Sequence, residues 1–327
     1  MAGDRPGRVA PDGEVSVAGE LRTSLLGPAA RYTPVDIAHA GGADRELTRR
    51  LWRAMGFADV PDDEVAFTDD DLTALRRAVS LMARDALDDR DVLYLARVLG
   101  QASANMAESV VSFALERVER GDGARPATSE LLGELDHLVV YLLNRHLLEA
   151  LRRHLGDRRD SGEGTPLCVG FADLVGYTRL SQRLDEHELA ALIEGFETTA
   201  GDAVVTRGGR VVKMIGDEVM FAAEPRNGID IALALAESFV GDDVPAVRVG
   251  LACGSVVTRA GDLFGPTVNL AARATAIARP SSVLVSADLF DVVAADPTLH
   301  LRRMRPRRLK GIGWAELGVV RRLGDGD

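Results

Sequence analysis

The chain has 327 residues, a length at which one hydrophobic core stops growing, so two domains of about 150 residues each are expected. Hydrophobic residues at 46% and charged residues at 27% exclude extensive disorder. The formal net charge of −11 disfavours long-range attraction to nucleic acid or anionic lipid without excluding a local basic patch.

Residues 1–30 read as a loose start, with Asp4, Pro6, Asp12 and Glu14 where a secretory leader needs an apolar core. The most apolar stretch, Leu138 to Leu143, falls far short of the ~20 residues of a spanning helix, so no membrane span is expected. Cys168 and Cys253 are too few for a disulfide framework or a cysteine-rich zinc site, which points to a reducing compartment. A cytoplasmic protein is expected.

Residues 31–155 read as a series of helices. Ala74, Leu75, Ala78, Val79, Leu81 and Met82 keep helical spacing, as do Val92, Leu93, Leu95, Ala96 and Leu99, with Asp88, Asp89 and Asp91 suited to a helix start. A glycine and proline break at residues 121–126 precedes a long apolar run from Thr128 to Leu155. Residues 156–165, rich in glycine and charge, mark a linker, and residues 323–327 a tail.

Between them, residues 166–322 change pattern. Leu167 to Phe171 suits a buried strand, Glu186 to Val205 a helix, and Val211 to Met214 with Glu218 to Ala222 a hairpin. A helix near Gly228 to Val240, a strand from Val247 to Cys253, a helix from Thr267 to Ala278 and a strand from Ser282 to Val285 follow. This alternation predicts a layered α/β (α+β) sheet covered by helices.

Three segments of this half concentrate chemistry. In Phe171-Ala172-Asp173-Leu174-Val175-Gly176 an apolar strand ends in a carboxylate and a glycine turn, and in Lys213-Met214-Ile215-Gly216-Asp217 a second carboxylate sits at a hairpin tip. Two hard carboxylates at neighbouring strand ends suit Mg²⁺ or Mn²⁺, although an aspartate in such places is more often a turn or cap residue. In the third segment, Gly261 to Arg273, Asn269 and Arg273 are four apart and share one helical face.

Together the segments FADLVGYT, KMIGD and GDLFGPTVNLAAR resemble the class III nucleotidyl cyclases, over about Pro166 to Arg322. The resemblance implies a ferredoxin-like catalytic domain that acts as a homodimer, makes cyclic AMP from ATP and uses two metal ions, Mg²⁺ or Mn²⁺, per site. It implies that Asp173, Asp217 and the Leu174 carbonyl hold the metals. Lys213 and Asp262 would select adenine, and Asn269 and Arg273 would serve the ribose and the transition state from the partner chain.

The base pair is physically apt, because a lysine donates to adenine N1 and an aspartate accepts from the exocyclic amine, whereas guanine presents the reverse pattern. Lysine is also scarce: Lys213 and Lys310 are the only two among 39 basic residues. One departure concerns the phosphate lysine of the C-terminal lysine-glycine repeat in many relatives, whose place is taken here by Ile312, leaving Lys310 as a substitute or as a surface residue.

The N-terminal half allows several readings. Segments around Tyr32 to Ala38, Arg49 to Phe57 and Phe67 to Leu72 look like a degenerate MerR-type helix-turn-helix, yet Asp62, Asp63, Glu64 and Asp69 to Asp71 would repel phosphates, so no nucleic-acid partner is expected. The helices better resemble the all-α regulatory domain of the pH-responsive mycobacterial adenylyl cyclases. Sensing of protons is then an expectation carried by His137, His146 and His154 on the last helix, His146 foremost as a buried switch; sensing of an apolar ligand is the alternative. A degenerate cyclase domain acting as a nucleotide or protein sensor is the non-enzymatic alternative.

Overall fold

The computed structural model describes residues 29–83, 87–119, 128–160, 167–239 and 245–324. The chain divides into two units, Met1–Ala150 and Leu151–Asp327. Among the described residues no helix is long and apolar enough to cross a membrane.

The first unit is helical because its helix starts are capped and its apolar residues keep helical spacing. In α1 (Pro34–Gly41) the Thr33 hydroxyl accepts from the Asp36 N–H while the Asp36 carboxylate accepts from the Thr33 N–H. In α2 (Arg45–Ala54) Asp44 accepts from the Leu47 N–H. The acidic run Asp69 to Asp71 forms the first turn of α3 (Asp69–Ala83), where free backbone N–H groups favour negative charge. Asp71 accepts there from the Thr68 N–H at 2.7 Å.

The helix expected around Val92 to Leu99 runs on without a break as α4 (Asp89–Glu119). Gly100 does not end it; a Cβ there would run into the backbone of Met55, so the glycine admits the end of α2. Ile37, Leu51, Phe67, Leu72, Leu75, Val92 and Leu93 make the core. Beside them lies an apolar cavity of about 380 Å³, lined by Trp52, Met55, Phe67, Leu81 and Leu95 among others. α5 (Thr128–Asp160) carries the boundary between the units and continues through Gly156, beyond the expected end at Leu155. A single glycine costs a helix only ~1 kcal/mol, too little to stop a long one. Residues 161–165 of the expected linker lie outside the described residues.

The second unit is built on a seven-stranded sheet. Its strands are β1 (Leu167–Leu174), β2 (Arg210–Ile215), β3 (Glu218–Ala223), β4 (Val247–Gly254), β7 (Val283–Ser286), β8 (Leu299–Arg303) and β11 (Leu317–Arg322), in the order β2-β3-β1-β4-β7-β11-β8. Only the β4–β7 pair is parallel. Two hairpins stand apart, β5 (Val257–Arg259) with β6 (Asp262–Phe264) and β9 (Arg307–Leu309) with β10 (Gly313–Ala315).

Alternation along β1 divides the core between two faces. Cys168, Ala172 and Leu174 join Phe196 and Val204 of α7 (Glu186–Val205) and Ile229, Ile231 and Leu235 of α8 (Pro225–Ser238), the short α6 (Tyr177–Leu180) preceding them. Val169 and Phe171 join Met220, Leu263 and Ala271, the last on α9 (Pro266–Ile277). α10 (Phe290–Ala294) closes the set of helices.

Two features depart from the sequence reading. Strands β8 to β11 lie beyond the last expected strand; they are short and interrupted by Arg302, Arg303, Arg307 and Arg308, which hides their apolar period. Cys168 and Cys253, read as two separate residues, face each other in the β1–β4 register. They are 85 residues apart in sequence, so only the register brings them together.

Candidate active site

The apolar run Cys168 to Ala172 makes β1 a central strand, and Asp173 ends it on the face that carries Val169 and Phe171. In the antiparallel register Asp173 lies directly between Glu218 of β3 and Arg248 of β4, so all three side chains share that face. Arg248 donates to Asp173 Oδ2 from Nε at 2.6 Å and from a terminal nitrogen at 2.5 Å, leaving Oδ1 to other partners. It also donates to the Ala276 carbonyl at the end of α9, at 3.2 Å.

Asp217 reaches the same place by another route. Gly216, at φ 60°, turns the chain between β2 and β3, and the Leu174 N–H donates to the Asp217 carbonyl at 3.0 Å, pinning the hairpin tip to the end of β1. Burial pushes the Asp217 carboxyl up, and the neighbouring Asp173 carboxylate pushes it further. Glu218 is likewise raised by burial and then by the charges of Asp173 and Asp217. Excess negative charge on a partly buried surface is the electrostatic condition for binding a cation.

Among the described residues no group of three or more His, Cys, Asp or Glu has the geometry to hold a metal ion alone. Two adjoining carboxylates offer hard oxygen ligands of the kind that Mg²⁺ takes together with water and phosphate.

Lys213 of β2 and Asp262 of β6 are brought together although 49 residues apart, with Nζ donating to Oδ2 at 2.6 Å. Asp262 Oδ1 accepts from the Leu263 N–H at 2.8 Å. Burial would raise Asp262, but the Lys213 hydrogen bond, the Leu263 N–H and nearby positive charge outweigh it and hold the carboxyl below its usual range. Lys213 lies opposite Met220 in register, two residues from Glu218, which puts the pair on the carboxylate face.

Asn269 and Arg273 are not drawn into this group. Both are exposed on α9, and neither side chain has a partner among the described residues. Asp173, Asp217, Lys213 and Asp262 thus gather on one side of the sheet, the Leu174 side chain turns to the other face, and Asn269 and Arg273 stand open on α9. The sequence reading missed Glu218 and Arg248. A charge inside the apolar strand Val-Arg-Val-Gly-Leu was the visible signal for Arg248, and adjacency to Asp217 the signal for Glu218.

A mostly antiparallel sheet with a carboxylate pair at the centre and a lysine-aspartate pair beside it agrees with the resemblance to the class III nucleotidyl cyclases. The sequence profile of the adenylate and guanylate cyclase catalytic domain matches residues 161–317. An adenylate cyclase of Streptomyces coelicolor is 42% identical over 302 residues, 86% of this chain and 79% of that protein. A pH-sensitive adenylate cyclase of Mycobacterium tuberculosis is 33% identical over 321 residues, 91% of this chain and 80% of that protein. The solved adenylyl cyclase CyaB of P. aeruginosa superposes with a TM-score of 0.43 at 20% identity, covering 49% of this chain and 97% of that one. The chain belongs to the adenylate and guanylate cyclase family, among its adenylate cyclases.

Proposed function

We propose that the chain converts ATP to 3′,5′-cyclic AMP and pyrophosphate by two-metal catalysis at sites shared between two copies, under control of its helical half. The observation that carries this reading is the division of the site: Asp173 and Asp217 adjoin on one face with Lys213 and Asp262, while Asn269 and Arg273 stand exposed and unpartnered. Residues that serve a neighbour's substrate have no partner within their own chain.

Asp173, Asp217 and the Leu174 carbonyl would hold Mg²⁺ or Mn²⁺, whose charge would acidify the ribose 3′-hydroxyl and neutralise the departing pyrophosphate. The 3′-oxygen bonds to the α-phosphorus, the bond to the β-phosphate oxygen breaks, and the hydroxyl proton passes to solvent. Lys213 donates to adenine N1 and Asp262 accepts from the amine; guanine would set donor against donor and acceptor against acceptor. Asn269 orients the ribose and Arg273 meets charge developing on the α-phosphate. Arg248, the cation nearest the carboxylates, takes the triphosphate in the absence of a lysine at Ile312.

Regulation by residues 31–155 is supported by their likeness to the pH-sensitive relative. His146 is exposed on α5 rather than buried, so a proton switch there would act through whatever covers the helix; the His154 side chain lies outside the described residues. The apolar cavity beside Trp52 gives apolar-ligand sensing its own support. A pH profile of His146→Gln parallel to the parent's would remove the histidine switch.

The test of the shared site is complementation. Asp173→Ala and Arg273→Ala, each inactive alone, should regain activity when mixed, because one composite site per mixed dimer is intact. No recovery, with subunit exchange demonstrated, overturns the shared site.

A further inference from the structure

Arg248 holds two groups that the shared site puts to different uses. In the β1–β4 register it lies opposite Asp173, and it meets Asp173 Oδ2 with Nε at 2.6 Å and with a terminal nitrogen at 2.5 Å. Its other terminal nitrogen, Nη1, donates to the Ala276 carbonyl at 3.2 Å. Ala276 is the last residue but one of α9, and the last four carbonyls of a helix have no N–H partner within it. The last turn of α9 carries no basic side chain, so the positive charge that suits a helix C-terminus reaches it from β4.

A guanidinium is planar and permanently charged, so one rigid group ties the carboxylate to the helix end. Three of its five N–H groups make these bonds, and two remain for the triphosphate. The side chains of Asp173 and Arg248 are 15% and 32% exposed, so the tie is partly shielded from water. Thr275 attaches the same turn of α9 to β1 through its hydroxyl, 3.2 Å from the Phe171 carbonyl. That bond ends on backbone, whereas the bonds of Arg248 end on a carboxylate of the metal pair. Arg273 lies about one helical turn before Ala276 and Asn269 about two, so the helix end that Arg248 holds is continuous with both.

We propose that Arg248 is a positioning residue that couples the two active sites of the dimer: through it, the carboxylate of a chain's own site holds in place the helix that the chain lends to its partner's site. This coupling rests on the shared-site reading above, in which Asp173 serves one site and Asn269 and Arg273 the other. A change at Asp173 that weakens its hold on the guanidinium frees the end of α9. Asn269 and Arg273 then meet the neighbouring nucleotide in a less fixed geometry. A misplacement of ~1 Å can cost about 10²-fold in rate, so loosening one of two attachments should cost about five- to tenfold.

The test uses full-length mixed dimers. One chain carries Arg273→Ala and supplies the live site with its carboxylates; the other supplies α9 and has its own site disabled. Disabling by Asp217→Ala leaves the tie between Arg248 and Asp173 in place and sets the reference. Disabling by Asp173→Ala frees Arg248, and Asp217→Ala with Arg248→Ala removes it. In both cases the altered residues belong to the dead site, so the role of Arg248 on triphosphate is outside the measurement. Each should lower kcat/KM of the live site about five- to tenfold below the reference and to a similar extent, since both break one link. Asp173→Asn, whose amide oxygen still accepts from Arg248, should recover part of the loss. In protein free of metal and nucleotide, deuterium exchange at the amides of residues 275–278 should rise with Asp173→Ala and stay at the parent's level with Asp217→Ala. Equal kcat/KM in all the mixed dimers, or equal exchange in the two aspartate variants, overturns the proposal and leaves α9 held by its other contacts. If Arg248→Ala does not fold, the comparison of Asp173→Ala and Asp173→Asn with the reference decides. A reference pair that stays inactive, with subunit exchange demonstrated, overturns the shared site itself, and the coupling with it.

Discussion

The two units bury their apolar residues to different extents. In the second, β1 and β4 are covered on both faces, and Val169, Phe221, Ile229, Leu251 and Leu289 are wholly or almost wholly buried. In the first, a few residues such as Ile37 and Leu51 form a small core, whereas the long helices expose Leu99, Met106, Val111 and Phe113 on α4 and Leu138, Val140, Tyr141, Leu142, Leu143 and Leu147 on α5. Exposed apolar residues at consecutive positions cannot be covered by one neighbouring helix, since they point all round the axis. A catalytic unit that completes its own core can hold site residues rigidly; a helical unit that leaves apolar surface open offers that surface for association.

The sharpest way to break this contrast is to change chemistry without packing. Asp173→Ala or Asp217→Ala should lower cyclase activity by at least about 10³-fold; Asp217→Ala should leave the melting temperature unchanged or slightly higher, because like charge on a partly buried face is relieved, whereas Asp173→Ala should lower it slightly, because Arg248 loses its carboxylate. Retained Mn²⁺-dependent activity in either variant would show that these carboxylates are not the metal site. Next in size, Lys213→Glu with Asp262→Cys should shift preference from ATP toward GTP by roughly 10²-fold, by reversing the donor and acceptor pattern; unchanged selectivity in kcat/KM would place base reading elsewhere.

Two further substitutions set packing in one unit against association in the other. A Cβ at Gly250 of β4 would meet the backbone of Thr275 and Ala271 on α9, which cannot yield as a side chain does. Gly250→Ala should therefore destabilise the second unit by about 2–3 kcal/mol and lower activity, since α9 carries Asn269 and Arg273. A melting curve equal to the parent's would mean that the strand and helix are less closely packed. Leu142→Glu with Leu147→Glu on α5 should weaken self-association about tenfold or more in sedimentation equilibrium and leave the second unit's melting unchanged. Unaltered association would assign that apolar surface to another occupant.

Legibility in the sequence followed the same division. The first strands and helices of the second unit were readable because buried strands are near-continuous apolar runs, and the paired carboxylates and lysine-aspartate pair stood out as polar residues at the ends of such runs. Arg248 and Glu218 were not found, because their meaning comes from the register that sets them beside Asp173, and register is a tertiary property. The same holds for Cys168 and Cys253. In the first unit the acidic run Asp69 to Asp71 was read as a reason against DNA; in the structure it caps a helix and ties down the chain before it, which only the partners Tyr32 and Thr68 reveal.

That tie leads to the smallest effect. The Asp69 carboxylate accepts from the Tyr32 hydroxyl and from Arg31, both at 2.8 Å, and these bonds fasten the segment that bridges Tyr32 to Phe67. The Tyr32 hydrogen bond first, then that of Arg31, holds the Asp69 pKa below its usual value, while the same hydroxyl bond raises that of Tyr32. A carboxyl whose folded pKa is lowered contributes stability that is present above the unfolded value of about 3.9 and is lost as pH falls through the folded value. Tyr32 works in the other direction: its contribution is present below about 10 and is lost as pH rises through the raised value. Both groups are partly exposed and screened, so Asp69→Asn should lower the first unit's melting temperature by only about one or two degrees near neutrality. The gap between parent and variant should stay level from about pH 5 to 9 and close toward both extremes. A gap that widens on acidification would mean that Asp69 is protonated more readily in the folded unit than in the unfolded chain, and that the tie to Tyr32 and Arg31 does not persist in solution.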